Sequence, residues 1–168
     1  PDYWCLDVDA VEAAITEKTK AVIGVHIYGQ PYDPRLFKLC RDKGIYLIED
    51  AAQAHGASQV MLDGSELVAG SMGDLGCFSF FPSKNMAVGG EGGMLTTTVD
   101  ELTDAVSLVV NHGRSPSLES MQLGSNLRMS EVSAAIGTVQ LSHLDSWVRR
   151  RREIAEIYHQ AFADLLLI

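Results

Sequence analysis

Two stretches decide the architecture: Ala21-Val22-Ile23-Gly24-Val25, and Ile45-Tyr46-Leu47-Ile48 with Glu49-Asp50 directly behind it. Each is an apolar run of strand length, rich in β-branched residues. Between them Pro34 suits the first turn of a helix running to about Lys43, and Gly44 supplies its stop. Strand, helix, strand predicts a parallel pair joined by a crossover helix, with functional groups gathered at the carboxyl ends of the strands. Glu49-Asp50 stands at such an end.

Working outward, Val11, Ala14 and Ile15 predict a short amphipathic helix over Asp9 to Thr19. Downstream, Gly76 to Phe81 and Gly93 to Thr97 are two further strand candidates. The turn-rich Pro82-Ser83-Lys84-Asn85 and Gly89-Gly90-Glu91-Gly92 separate them. Asp100 to Val110 has helical spacing, and a polar loop covers Gly113 to Gly124. A long helical pattern then runs from Ser130, a suitable N-cap, to Leu166, with a bend expected near Asp145-Ser146. The expected fold class is α/β, a mostly parallel sheet with crossover helices.

The 168 residues are 46% hydrophobic and 21% charged, enough to bury a core. A formal net charge of -9 opposes non-specific nucleic-acid binding, which rests on neutralising phosphates. Cys5, Cys40 and Cys77 lack both zinc-site spacing and the density of a disulfide framework, and read as reduced, buried thiols. No run approaches the length of a membrane span, and Pro1-Asp2-Tyr3-Trp4 lacks the layout of a signal peptide, so a cytoplasmic setting is expected. The chain opens without Met and stops inside Leu165-Leu166-Leu167-Ile168, which reads as a fragment of a longer protein.

Several residues carry chemistry. Asp50 precedes small residues, Ala51 to Ala57 with Gln53 and His55, that let a flat ligand approach; it is equally placed to cap a short helix with Gln53 in a capping box. Lys84 lies on a tight turn past a strand, where partial desolvation would make its neutral amine available for Schiff-base chemistry, although a loop lysine is also an ordinary surface charge. Ser79, in an otherwise apolar strand, needs a partner, either a main-chain carbonyl or a ligand oxygen. The glycines at 89, 90, 92 and 93, and at 70, 73 and 76, match neither a Walker nor a dinucleotide loop. The five histidines form no metal-ligand pattern, so no metal site is expected. Arg149 to Arg152 read as a solvated face paired with Glu153 and Glu156.

Taken in order, Val25-His26-Ile27-Tyr28-Gly29-Gln30, Glu49-Asp50-Ala51-Ala52-Gln53-Ala54-His55-Gly56-Ala57, Gly73 to Asn85 and Gly90-Glu91-Gly92-Gly93 resemble the DegT/DnrJ/StrS nucleotide-sugar aminotransferases. The likeness continues through Asn111-His112-Gly113 and Gly124 to Ile136, nearly the whole chain. It implies a fold-type I enzyme dependent on pyridoxal phosphate (PLP). Residues 1–145 would be part of its large cofactor-binding domain, and 146–168 the start of a helix leading to a truncated small domain.

The resemblance implies a role for each matching residue. Lys84 would be the Schiff-base lysine and proton shuttle, and Asp50 the partner that keeps the pyridine nitrogen protonated. Gln53 would stand near the cofactor's 3-hydroxyl, Ser79 at its phosphate, and Asn126 would reach that phosphate from the neighbouring subunit of a homodimer. Because Lys84 is a lysine and not the histidine of dehydrating relatives, the implied reaction is transamination. An amino group, usually from glutamate, would move to a keto carbon of a nucleotide-linked sugar. The alternative is a non-catalytic sugar-nucleotide-binding or regulatory member of the same fold. The resemblance also implies that the phosphate loop and ring-stacking aromatic lie outside this stretch, so the fragment alone is expected to be inactive. Gln59 to Glu66 is longer than the family's usual link.

Overall fold

The computed structural model describes residues 4–165; the chain start read for a signal peptide, and the end of the apolar run at 166–168, lie outside them apart from Trp4 and Leu165. Six strands form two sheets. The larger contains β1 (Ala21–Val25), β2 (Tyr46–Asp50), β5 (Leu75–Ser79) and β6 (Gly93–Thr96), in the order β1-β2-β5-β6. The first three run parallel, with Val25 opposite Asp50 and Asp50 opposite Cys77; β6 is antiparallel, with Ser79 opposite Gly93. This is the expected α/β arrangement with a mostly parallel sheet.

The crossover from β1 to β2 is α2 (Arg35–Lys43), with Pro34 at its N-cap and Gly44 ending it in the left-handed region at φ 65°. Its Leu36, Leu39 and Cys40 are buried against Leu47, Tyr32 and Met72, because the helix and strand periods bring these apolar residues to one interface. α1 (Val8–Ala14) is shorter than expected. Asp7 caps it by accepting the Ala10 N–H at 2.9 Å, and beyond Ile15 the Thr16 and Thr19 hydroxyls capture the amides of Lys18 and Thr16, which turns the chain out of the helix.

The two faces of the sheet differ. Val22, Gly24, Leu47 and Glu49 point into the side carrying α2. Ile23, Val25, Ile48, Asp50 and Cys77 point to the other, which stays open enough that Ile23 is 58% exposed. Of the three cysteines, all free, only Cys40 is fully buried; Cys5 and Cys77 are half-buried, contrary to expectation.

The stretch read as a long link is a hairpin, β3 (Ser58–Val60) and β4 (Glu66–Val68), turning at Gly64 with φ 83°. α3 (Asp100–Val110) matches its expected bounds. α4 (Glu131–Ala161) begins where Ser130 accepts the Ser133 N–H, and it runs unbroken through Asp145-Ser146, so the expected bend is absent. Ser142 and Ser146 return their hydroxyls to the carbonyls of Val139 and His143, which keeps the polar stretch helical. Along its exposed arginine run Arg150 pairs with Glu153 at 3.0 Å, while Glu156 takes Gln160 in place of an arginine. Among the described residues no helix is long and apolar enough to cross a membrane.

Candidate active site

The carboxyl ends of β1, β2 and β5 converge, as the topology of a parallel sheet requires. The segments leaving them line one cleft of about 290 Å³ with Tyr28 from β1, Gln53 from β2, and Ser83, Lys84 and Asn85 from β5. Other hollows lie elsewhere, one of about 700 Å³ beside Asp7 and Arg35 and one of about 280 Å³ between α2 and the hairpin. The first exceeds the cleft in volume, but neither collects the amine and amide that the strand ends bring together.

Asp50 closes β2 on the open face. Its Oδ1 accepts the Ala52 N–H at 3.0 Å, and Oδ2 has no partner among the described residues. The capping-box alternative is not what forms: residues 51–56 are turns, and Gln53 Oε1 accepts the Tyr28 N–H at 2.8 Å in place of reaching back to the Asp50 amide. That bond ties the β1 exit to the β2 exit and holds Tyr28 in the left-handed region at φ 56°, an uncommon conformation for an aromatic residue.

Ser79 is two residues beyond Cys77, the register partner of Asp50, and so shares its face. Its hydroxyl accepts a long 3.4 Å contact from the Phe81 N–H and reaches no main-chain carbonyl. Lys84 is half-buried on a turn closed by its own N–H to the Phe81 carbonyl at 2.9 Å. Asn126 lies apart: it is exposed, bridged to Asn111, and does not line the cleft.

Sequence reasoning missed the support beneath Asp50. Glu49 is fully buried, and its carboxylate receives four donors: Met72 N (2.6 Å) and Gly73 N (2.7 Å) on Oε1, and Gly70 N (2.7 Å) and His26 Nε2 (2.8 Å) on Oε2. His26, also fully buried, accepts the Tyr32 N–H on Nδ1 at 3.3 Å, which assigns the ring proton to Nε2, and stacks on Tyr32. The same residue's N–H donates to the Asp50 carbonyl at 3.0 Å. Gly70 and Gly73 therefore have a role after all. A Cβ on Gly73 would stand 2.6 Å from the Leu47 carbonyl, and one on Gly70 would stand 2.4 Å from the Phe78 ring, so only glycine lets this loop lay its amides on Glu49. The sole sequence signal was the acid next to Asp50 in a buried strand. Gly73→Ala is expected to destabilise the fold by about 1–3 kcal/mol, seen as a lower urea midpoint at unchanged slope.

His55 was likewise unassigned. It is buried between Phe78 and Phe80, and neither ring nitrogen reaches a partner within hydrogen-bond geometry. Burial pushes its pKa down, the Ser79 main chain opposes that shift, and the Lys84 ammonium adds to it. The unfolded chain therefore binds a proton here more readily than the folded one. Stability is full above about pH 6.5 and is lost as pH falls below it. Urea midpoints measured between pH 7.5 and 5.5 should fall, and His55→Phe should flatten that slope.

The chemistry of this donor set fits PLP. A carboxylate oxygen unpaired among the described residues at a strand tip, a primary amine and an amide in one cleft, and on the shared face a hydroxyl that donates to no described residue match the cofactor's ring nitrogen, aldehyde, hydroxyl and phosphate.

The family profile described as the DegT/DnrJ/EryC1/StrS aminotransferase family matches residues 1–168. A protein of Acidithiobacillus ferrooxidans named UDP-N-acetyl-3-dehydro-alpha-D-glucosamine 3-aminotransferase is 40% identical over 97% of this chain and 43% of its own length. A protein of Geobacillus stearothermophilus named pleiotropic regulatory protein is also 40% identical, over 99% of this chain and 45% of its own length. Among solved structures, the PLP form of the Streptococcus pneumoniae sugar aminotransferase Spr1654 superposes with a TM-score of 0.83 at 30% identity, over 96% of this chain and 46% of that one. The chain thus spans less than half the length of the relatives it matches. On the family profile, supported by the strand-end arrangement of Asp50, Gln53 and Lys84, this chain belongs to the DegT/DnrJ/EryC1/StrS aminotransferase family.

Proposed function

We propose that the full-length protein is a PLP-dependent aminotransferase that moves an amino group, from glutamate, to a keto carbon of a nucleotide-linked sugar. The observation that carries this reading is the cleft at three parallel strand ends, where Lys84 and Gln53 meet beyond the tip that holds Asp50. When bound, PLP supplies the electron sink for the carbon that loses its proton.

The chain's own residues divide the remaining work. Asp50 Oδ2, unpaired among the described residues, accepts the hydrogen of a protonated ring nitrogen, while the Ala52 amide fixes Oδ1 and with it the carboxylate plane. Gln53 has its oxygen committed to Tyr28, which leaves its amide N–H groups to donate to the cofactor's hydroxyl oxygen. Ser79 gives its hydroxyl to the phosphate. Lys84 would hold the cofactor covalently, and once the amino substrate takes its place the freed Nζ would carry a proton to or from the reacting carbon. Asn126, exposed and away from the cleft, completes the phosphate site of a second copy in a homodimer. Residues 1–145 are part of the cofactor-binding domain of that protein, and 146–168 start the segment that leads to its small domain.

The test is direct. The full-length protein should turn yellow with PLP, borohydride should fix the phosphopyridoxyl group on Lys84, and glutamate should shift the spectrum to the amine form. Fixation on another lysine, or on none, sinks the reading. A subunit mixture of Lys84→Ala with Asn126→Ala should recover activity that neither variant shows alone; no recovery counts against the shared site.

The regulatory relative at 40% identity favours a second reading, a regulatory member that binds a sugar nucleotide without turnover. An absent spectral shift with glutamate would select it.

A further inference from the structure

Two acids stand side by side at the end of β2, and they face opposite ways. Asp50 looks into the open face, while Glu49 is fully enclosed on the other side. The four groups around Glu49 are all donors: three main-chain amides and the Nε2–H of a histidine whose other nitrogen is itself accepting. A protonated carboxyl would need an acceptor for its own O–H, and none of these groups offers one, so the site is built for the anion. His26 in this tautomer is neutral and does not cancel the charge. A net negative charge is therefore sealed away from water one residue from Asp50, where low polarisability leaves its field weakly screened.

We infer that Glu49 is a positioning residue for the pyridine-nitrogen site, a buried carboxylate enclosed by donors that acts through Asp50. It locks the strand tip on which Asp50 stands and places a second negative charge behind it, so that a cationic ring nitrogen is favoured on the open face. The inference rests on the aminotransferase reading and adds to it a group on the far side of the sheet that never touches the cofactor. The locking is visible in the bonds. Glu49 and Asp74 pin the 70–74 loop to β2, with Asp74 Oδ2 accepting the Leu47 N–H at 2.7 Å, and that loop feeds directly into β5. The residue that donates to Glu49 through its ring also holds the Asp50 carbonyl through its N–H.

A reporter for the field is built in. Cys77 lies between Asp50 on β2 and Leu95 on β6, on the face that Asp50 shares, with Glu49 behind it on the other face. Burial pushes its thiol up, and the negative charges of Asp50 and then of Glu49 push the same way.

The experiment uses the full-length protein, first freed of cofactor, with the Cys77 alkylation rate followed against pH by peptide mass spectrometry. Glu49→Gln should lower the midpoint, and the PLP dissociation constant of the same variant should rise roughly tenfold. Glu49→Asp, which keeps the charge on a shorter stem, should leave the Cys77 midpoint in place. Equal loss in both variants, or an unmoved midpoint in a folded Glu49→Gln, overturns the inference in favour of a purely structural anchor. Should neither variant fold, His26→Leu decides: removing the Nε2–H donor to Glu49 should raise the midpoint, and an unchanged midpoint overturns the inference. Wild-type protein that binds no PLP would sink the aminotransferase reading and this inference with it. PLP binding at Lys84 with an unmoved Cys77 midpoint in Glu49→Gln would sink the inference alone.

Discussion

Lys84→Ala in the full-length protein should reduce turnover by at least about 10²–10⁴-fold, the range that a positioned proton-transfer group contributes, with the covalent anchor lost in addition. Stability should change by no more than about 0.5 kcal/mol, because the side chain is half-exposed and accepts or donates no hydrogen bond among the described residues. The turn itself is closed by the Lys84 main chain, which alanine retains. Steady-state rates with glutamate and a keto sugar nucleotide, set beside a urea titration, separate the two quantities. Full activity in the variant would mean that another amine does the work. A large fall in the urea midpoint would mean that Lys84 holds the fold in a way its surroundings do not suggest.

Glu49→Ala should show the converse pattern, a loss of roughly 3–5 kcal/mol of stability. Alanine removes the acceptor that the amides of Gly70, Met72 and Gly73 and His26 Nε2 share, in a place without solvent. Each buried donor left unpaired costs about 1–3 kcal/mol, so even partial rescue by entering water leaves a large deficit. Part of the loss should appear as loosening of the β2–β5 junction, seen as faster hydrogen exchange at Asp74 and Leu47, whose amides bond across it. A change under about 1 kcal/mol would show that the loop relaxes to satisfy itself.

The two residues also show where the sequence speaks and where it falls silent. The positions of Lys84 and Asp50 could be read from local pattern, whereas the roles expected of them came from the family resemblance. Asp50 ends an apolar strand ahead of small residues, and Lys84 sits on a Pro-Ser-Lys-Asn turn after another strand. Glu49 was passed over because its importance depends on partners 21 to 24 residues downstream and 23 upstream, a separation that no local pattern encodes. The glycines at 70 and 73 match no nucleotide loop, and the task they perform, laying amides against a carboxylate, has no motif. His55 was visible only as a member of a block. That both its nitrogens are enclosed among aromatic rings is a property of packing.

Secondary structure followed the same division. The strand, helix, strand unit from Ala21 to Asp50 was readable because apolar periodicity, Pro34 and Gly44 all favour one outcome at short range. The hairpin at 58–68 was not, since each arm has three residues and stays in place through cross-strand pairs and the Ala69 N–H to Ala57 carbonyl bond. The expected bend in α4 also failed to form. Its polar Asp145-Ser146 pair remains within the helix, where Ser146 bonds back one turn.

By itself the sequence determined the alternation of strands and helices, the acid at the tip of β2 and the amine beyond β5, because each is set by residues adjacent in the chain. Only the tertiary structure decided which strand lies beside which, that the tips of β1, β2 and β5 open into one cleft, and that a second acid is sealed behind the first. Those outcomes depend on parallel pairing and loop closure between distant segments, whose free energy comes from burial and from satisfying enclosed polar groups. No run of neighbouring side chains specifies that arrangement.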